Sequence, residues 1–319
     1  MSDEMVGLSE IEGAWMEMPG LPRPAWPVVT RWIRRNIEQD NWEEAYDSAV
    51  MQWLEAMVAG LSPGYEIHES PNFFILAAQS EEDAIALLKF AERTHRDLMR
   101  HLCGGEDEKT WTGRHVILLF NEPEVYADYV ASHSPGEDEQ TIGLAVMINR
   151  GYIHTAAQYT YLEEAQRCIA HEHVHTLIHL GVNRKMPRWL HEGLAQLVES
   201  AVFGSRSHAM DAMTASRHRS FWNRDNIQQF WSGDSFNVPG DSSELSYNLA
   251  VVIARVMAEA PDAYADFIRE AHRDDAGESA AQDIYGKSLG DYAFAFLGPG
   301  DWAPQGADPA PDTPPDSEG

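Results

Sequence analysis

The chain has 319 residues, of which 44% are hydrophobic, enough for one large core or two modest ones. Its 51 acidic residues against 23 basic ones give a formal charge of -28, which argues against a phosphate-tracking nucleic-acid protein and against an anionic membrane surface as partner. No stretch reaches the ~18 apolar residues of a membrane helix, residues 1–20 lack the basic start and apolar run of a secretory signal, and the sparse cysteines, Cys103 and Cys168, suit a reducing compartment, so a soluble cytoplasmic protein is expected.

Residues 1–25 include Pro19-Gly20-Leu21-Pro22-Arg23-Pro24 and keep no sustained period, which predicts an extended, partly ordered arm. Trp26 to Gln39 carries Val28, Val29, Trp32, Ile33 and Ile37 at helical spacing, and Trp42 to Leu61 carries Ala45, Ala49, Trp53, Met57 and Leu61 in the same way. Asp40 and Asn41 supply the break and cap between them. The turn Leu61-Ser62-Pro63-Gly64 ends this helical segment. Strands are expected between Tyr65 and Ala78, most clearly over Phe73 to Ala77. Glu81 to Leu102 reads as a long amphipathic helix, and His115 to Phe120 as a short apolar run that fits a buried strand. Glu122-Pro123 opens a helix through Tyr129. Ile142, Leu144, Val146 and Ile148 alternate before Asn149-Arg150-Gly151, and Tyr152 to Thr155 resumes, the pattern of a hairpin. A mixed sheet with helices against it follows.

The next helix is expected from about Tyr161 to Leu180, with Gly181 as its left-handed stop, and a second one starts at Pro187. The first carries His171-Glu172-His173-Val174-His175, an HExxH pattern. Residues four apart on a helix lie about 40° apart around the axis and about 6 Å along it, so His171 and His175 can converge on one metal ion. Glu172 projects beside that ion, where a carboxylate can take a proton from water. Counted from the intervening loop, His175 and Glu192 each fall about 8 to 9 Å away, so antiparallel helices would set them level. Further helices are expected at Tyr247 to Glu259, Asp262 to His272 and Asp283 to Leu297. After Gly298 the composition turns to Pro, Asp, Gly and Ala, a solvated tail.

HExxH followed by Pro187-Arg188-Trp189-Leu190-His191-Glu192-Gly193-Leu194-Ala195 resembles the gluzincin group of zinc metallopeptidases, and within it the small peptidase MA-like (minigluzincin-like) domains. The resemblance implies a zincin-like α+β fold, a small mixed sheet with an active-site helix followed by a mainly helical C-terminal subdomain. It implies one Zn2+ held by His171, His175 and Glu192, with Glu172 as general base and a peptide or protein as substrate. The Tyr65 to Ala78 strands, the Tyr247 helix and Tyr285-Gly286-Lys287-Ser288-Leu289 are similar to other parts of such domains. At Gln196 the chain departs from thermolysin-type gluzincins, which carry there an acid that orients a motif histidine. The expected organisation is an arm and helical segment over 1–62, a catalytic domain over 63–297 that divides between 180 and 181, and a disordered acidic tail over 298–319.

The oxyanion of such a reaction is commonly stabilised by a tyrosine or histidine donor as well as by zinc. Tyr247 is the candidate, by correspondence with a tyrosine often found there in the resembling domains, and a plain core tyrosine fits the sequence equally. His173 points about 200° away from His171 and His191 precedes the carboxylate, so both are assigned structural roles, with His191 and then Glu199 as substitute ligands. His179 lies about 12 Å along the helix from His171, too far to share an ion at Zn–N distances near 2 Å. Cys168 reads as a small buried hydrophobe. The Ile142 to Ile148 strand is either an ordinary sheet member or an edge that captures a peptide by backbone pairing. Gly286-Lys287-Ser288 resembles the end of a phosphate loop, but Ala281 stands where the first glycine is needed. Two alternatives to the peptidase stay open: a non-catalytic binding protein of the same fold, and a metal-dependent hydrolase of another amide or ester.

Overall fold

The computed structural model describes residues 7–17, 20–102, 112–133, 143–148, 152–183, 185–203 and 212–305. The fold is α+β, in two compact units that meet in sequence at Gly181 and Val182, and every strand among the described residues belongs to the first. No helix among them is long and apolar enough to cross a membrane.

The first unit opens with a 3-10 turn, Leu8–Glu10, and helices α1 (Trp26–Asn36) and α2 (Trp42–Gly60). There follow β1 (Glu66–Glu69), β2 (Phe73–Ala77), α3 (Glu81–Leu102), β3 (His115–Phe120), α4 (Pro123–His133), β4 (Gly143–Ile148), β5 (Tyr152–Gln158) and α5 (Leu162–Leu177). The strands form one mixed five-stranded sheet ordered β1-β2-β3-β5-β4. β2, β3 and β5 run parallel, while β1 and β4 close the two edges antiparallel. Every residue of β2 and β3 is buried, which is why these strands read as continuous apolar runs: parallel strands are covered on both faces. The pleat divides their side chains. Phe74, Leu76, Val116, Leu118, Phe120 and Ala156 join the core built with α1, α2 and α4, where Trp26 meets Trp53 edge-on at 5.7 Å and stacks on Tyr152 at 3.8 Å. Phe73 and His115 turn the other way, toward His95 of α3 and His173 of α5.

The described part of the expected arm, residues 7–17 and 20–25, is packed rather than extended. Leu8, Ile11 and Ala14 are buried, the Leu8 amide donates to Gln52 Oε1 at 2.7 Å, and Trp53 Nε1 donates to the Pro22 carbonyl at 3.0 Å. A few apolar side chains at short intervals suffice to dock it, too few to register as a period. The first long helix stops at Asn36, short of Gln39, and a 3-10 turn at Gln39–Asn41 leads into α2. β4 pairs with β5 from Gly143 opposite Ala157 to Ile148 opposite Tyr152. Ile142 and the connecting residues 149–151 of the expected hairpin lie outside the described residues.

The second unit is helical: α6 (Arg188–Phe203), α7 (Ala212–Phe221), α8 (Asn226–Ser232), α9 (Asp241–Met257), α10 (Pro261–Glu270), α11 (Glu278–Tyr285) and α12 (Leu289–Leu297). Its core is organised by Trp189, whose Nε1 donates to the Ala276 carbonyl at 2.9 Å and whose ring packs among Phe230, Trp231 and Phe267. α6 approaches α9 so closely at Gly193 that a Cβ there would lie 2.7 Å from the Ala250 carbonyl oxygen.

Several expectations are corrected in this unit. Helices α7 and α8 were not anticipated, and α9 starts at Asp241, so Tyr247 stands inside the helix rather than at its beginning. The single helix expected over Asp283 to Leu297 is two. Gly286, with φ +66° in the left-handed region, ends α11, and a reciprocal cap starts α12, with Ser288 Oγ accepting from the Asp291 amide at 3.1 Å and Asp291 Oδ2 accepting from the Ser288 amide at 2.9 Å. The tail does not become solvated at Gly298. Trp302 is buried, and its carbonyl accepts from Trp231 Nε1 at 2.7 Å. Gln228 of α8 donates its Nε2 to the Ala303 carbonyl at 3.0 Å and accepts the Gln305 amide at 2.8 Å. Residues 306–319 lie outside the described residues.

Candidate functional site

Helix α5 begins with Glu163 and Glu164 in its first turn, where carboxylates favour the positive end of the helix dipole. Ala165, Ile169, Ala170, Val174 and Leu177 are buried along it, and this apolar surface seats it against α3, β5 and the edge strand β4. That seating sets the azimuth of the HExxH residues. His173 is buried toward the sheet, while His171 and His175 are half-buried on the far side. The Nε2 atoms of His171 and His175 lie 3.1 Å apart, with ring centroids 4.8 Å apart and planes at 73°. Bonds of about 2.0–2.1 Å at tetrahedral angles place two zinc-bound nitrogens about 3.4 Å apart, so these two imidazoles fit one ion with little adjustment. Glu172 is 8% exposed, and its own carbonyl accepts Thr176 Oγ1 at 2.9 Å.

The end of α5 differs from expectation. Gly181 is not a left-handed stop: the helix passes into a π turn over Ile178–Val182, in which Gly181 has φ 169° and ψ -13°. His179 stands on this turn rather than on α5 itself. Cys168 is buried on α5, as expected of a small hydrophobe.

The second unit holds Glu192 and Tyr247. Glu192 is 8% exposed, on α6. One turn before it, Arg188 places its Nε 3.8 Å from Glu192 Oε1. Arg188 is itself held by Asn237, whose Oδ1 accepts its Nη1 at 2.6 Å, and its guanidinium lies 5.4 Å from the centre of the Phe236 ring. Gly233, at φ +89°, makes this possible, because Arg188 Cβ lies 2.9 Å from where a glycine-replacing Cβ would sit. Tyr247 meets the same Phe236 edge-on at 5.1 Å. Glu192 and Arg188 on α6, Phe236 on the 3-10 turn Asp234–Asn237 and Tyr247 on α9 thus form one neighbourhood. Arg188 was not singled out from the sequence, although an acid four residues after a base on a helix is the spacing that announces such a pair. His191 and Glu199, the substitute ligands, are half-buried on α6.

His173 has the structural setting expected of it. Burial first, and then the neighbouring His115 and His95, push its pKa well below the ordinary histidine value of 6.5, so it is neutral. Its partners were invisible in the sequence, because His95 and His115 come from elements with no shared motif.

No known protein-family model matches this chain, and no curated protein is similar to it at a significant level.

Proposed function

We propose that the chain is a zinc-dependent metallopeptidase with a zincin-like fold, in which His171, His175 and Glu192 hold one Zn2+ and Glu172 is the general base. The observation that carries this reading is the approach of His171 and His175 Nε2 to 3.1 Å on the side of α5 away from the sheet, with Glu172 buried between them in sequence. Two imidazoles and a carboxylate are a donor set of catalytic zinc sites, and they leave a position for substrate.

When bound, the ion would act as a Lewis acid that polarises the scissile carbonyl and acidifies water. Glu172 takes a proton from the attacking water as the oxygen–carbon bond forms. It passes that proton to the amide nitrogen as the carbon–nitrogen bond breaks, so one water is consumed and an acid and an amine leave. Tyr247 donates its hydroxyl hydrogen to the developing oxyanion. The position of β4 at the edge of the sheet, in contact with α5, supports capture of an extended peptide by backbone pairing.

The test is metal analysis of purified protein combined with cleavage of a diverse peptide library, with and without chelator. Wild type is expected to carry zinc and to cleave peptides in a chelator-sensitive way, and Glu172→Gln to keep the ion and lose cleavage. Undiminished cleavage by Glu172→Gln would remove the proposed base. Zinc binding with hydrolysis of small esters or amides but of no peptide would move the reading to another hydrolase, and zinc binding with no hydrolysis at all to a binding protein.

A further inference from the structure

On the sheet side of α5, turned away from the His171 and His175 pair, three imidazoles from three elements meet. His95 comes from α3, His115 from the first position of β3 and His173 from α5, and they are 3%, 5% and 3% exposed. One ring nitrogen from each lies within 4.8 Å of the other two, and His95 Nδ1 is 2.9 Å from His173 Nε2. The Phe73 ring covers the trio, with its centroid 5.2 to 5.8 Å from each imidazole.

We propose that His95, His115 and His173 are a second metal site, a buried tris-imidazole site for one late first-row transition cation of the Zn2+ class. Imidazole nitrogens suit such cations. A tetrahedral ion needs its nitrogen ligands about 3.4 Å apart, a value inside the range that these nitrogens span. Beside His115 and His173 lies a small cavity, about 10 Å³ for the centre of a water-sized sphere, lined also by Phe73, Thr155 and Thr176. That is room for about one water molecule next to two of the three imidazoles. A core made only for packing would fill this place with aliphatic side chains, since burying polar ring nitrogens carries a desolvation cost that apolar groups avoid. Convergent donors on separate elements give the histidines a use. One ion would tie α3 to α5 across 78 residues of sequence and both to β3, so the site is structural and restrains the helix that carries HExxH. This inference does not depend on the peptidase reading, because none of its ligands belongs to the proposed catalytic set.

The experiment uses the full chain, stripped of metal and titrated with Zn2+ against a chromophoric chelator. Wild type is expected to take two ions. His171→Ala/His175→Ala should keep one, and adding His95→Phe to that pair should leave none. Zinc should also raise the melting temperature of His171→Ala/His175→Ala protein, and not after His95→Phe is added. The proposal is overturned if the His171→Ala/His175→Ala protein binds no zinc, or if it retains its ion after His95→Phe. Should the triple variant fail to fold, X-ray absorption of zinc-loaded His171→Ala/His175→Ala protein decides: three imidazole ligands support the site, and fewer overturn it. Failure of the peptidase reading would appear separately, as intact zinc binding at His171 and His175 without peptide cleavage.

Discussion

The two units bury different things. The first keeps titratable groups inside: His95, His115, His154 and His173 all lie in its core, together with the hydroxyl-bearing rings of Tyr129 and Tyr152 and the carboxylate of Glu172. The second fills its core mainly with indoles, phenyl rings and methyl groups; Glu192 and Tyr264 are buried there as well, but of its described histidines only His218 is. A core of imidazoles is sensitive to protons, and a core of rings is sensitive to lost volume. The chemistry proposed for Glu172 belongs to the first kind, and the anchoring of Glu192 through Trp189 and Gly193 to the second.

The largest effect tests the first kind directly. Glu172→Gln keeps the shape of the side chain and removes its ability to accept a proton, so peptide cleavage is expected to fall about 10²- to 10⁴-fold while zinc content stays at the wild-type level, read by initial rates alongside metal analysis. In the second unit, Trp189→Ala should cost about 3–5 kcal/mol in denaturant unfolding, because it opens a cavity among Phe230, Trp231 and Phe267 and strands the Ala276 carbonyl. A loss under about 1 kcal/mol would mean that the rings do not govern this unit.

Acid should weigh most on the first unit, although burial also pushes His218 of the second down to about 4. His154 sits between Trp53 and Tyr129, and burial, with smaller contributions from His133 and Arg23, holds its pKa well below 6.5. Burial also pushes His133 down to about 4. The unfolded chain gains these protons near pH 6.5 and the folded chain does not. Stability is therefore full above about pH 6.5 and declines as pH falls toward the folded values, by up to about 1.4 kcal/mol per pH unit for each fully buried imidazole. Urea midpoints measured from about pH 7 to about pH 5 would show the decline, and His154→Asn should make it shallower. A flat profile would erase the contrast between the units.

Two smaller effects sharpen the picture of the second unit. Gly193→Ala must push α6 from the Ala250 carbonyl and should cost about 1–3 kcal/mol in thermal unfolding. Arg188→Met removes the hydrogen bond to Asn237 and the guanidinium beside the buried Glu192 carboxylate, and should cost about 1–2 kcal/mol in the same measurement.

Much of the first unit was legible because its elements announce themselves. The Glu81 to Leu102 helix and the Phe73 to Ala77 and His115 to Phe120 strands have a sustained period or an unbroken apolar run, and the structure reproduces those spans. The HExxH pair was legible for the same reason, since a spacing of four on a helix fixes the direction of both imidazoles, and the structure brings their nitrogens together. What escaped was set by tertiary contacts. Helices α7 and α8 are short, and the sequence between Gly204 and Asn226 has no clean apolar repeat. Gly286 lies inside an otherwise helical composition, and only its left-handed conformation divides that stretch. His95, His115 and His173 share no motif, and it is the sheet that gathers them.

The carboxamide of Gln228 both gives and receives a backbone hydrogen bond with the segment that follows α12, imitating one rung of a β-ladder. Proteases draw their substrates into an extended strand, and this stretch already spends its amide and carbonyl on α8, so cleavage between Trp302 and Gln305 should wait until α8 itself loosens.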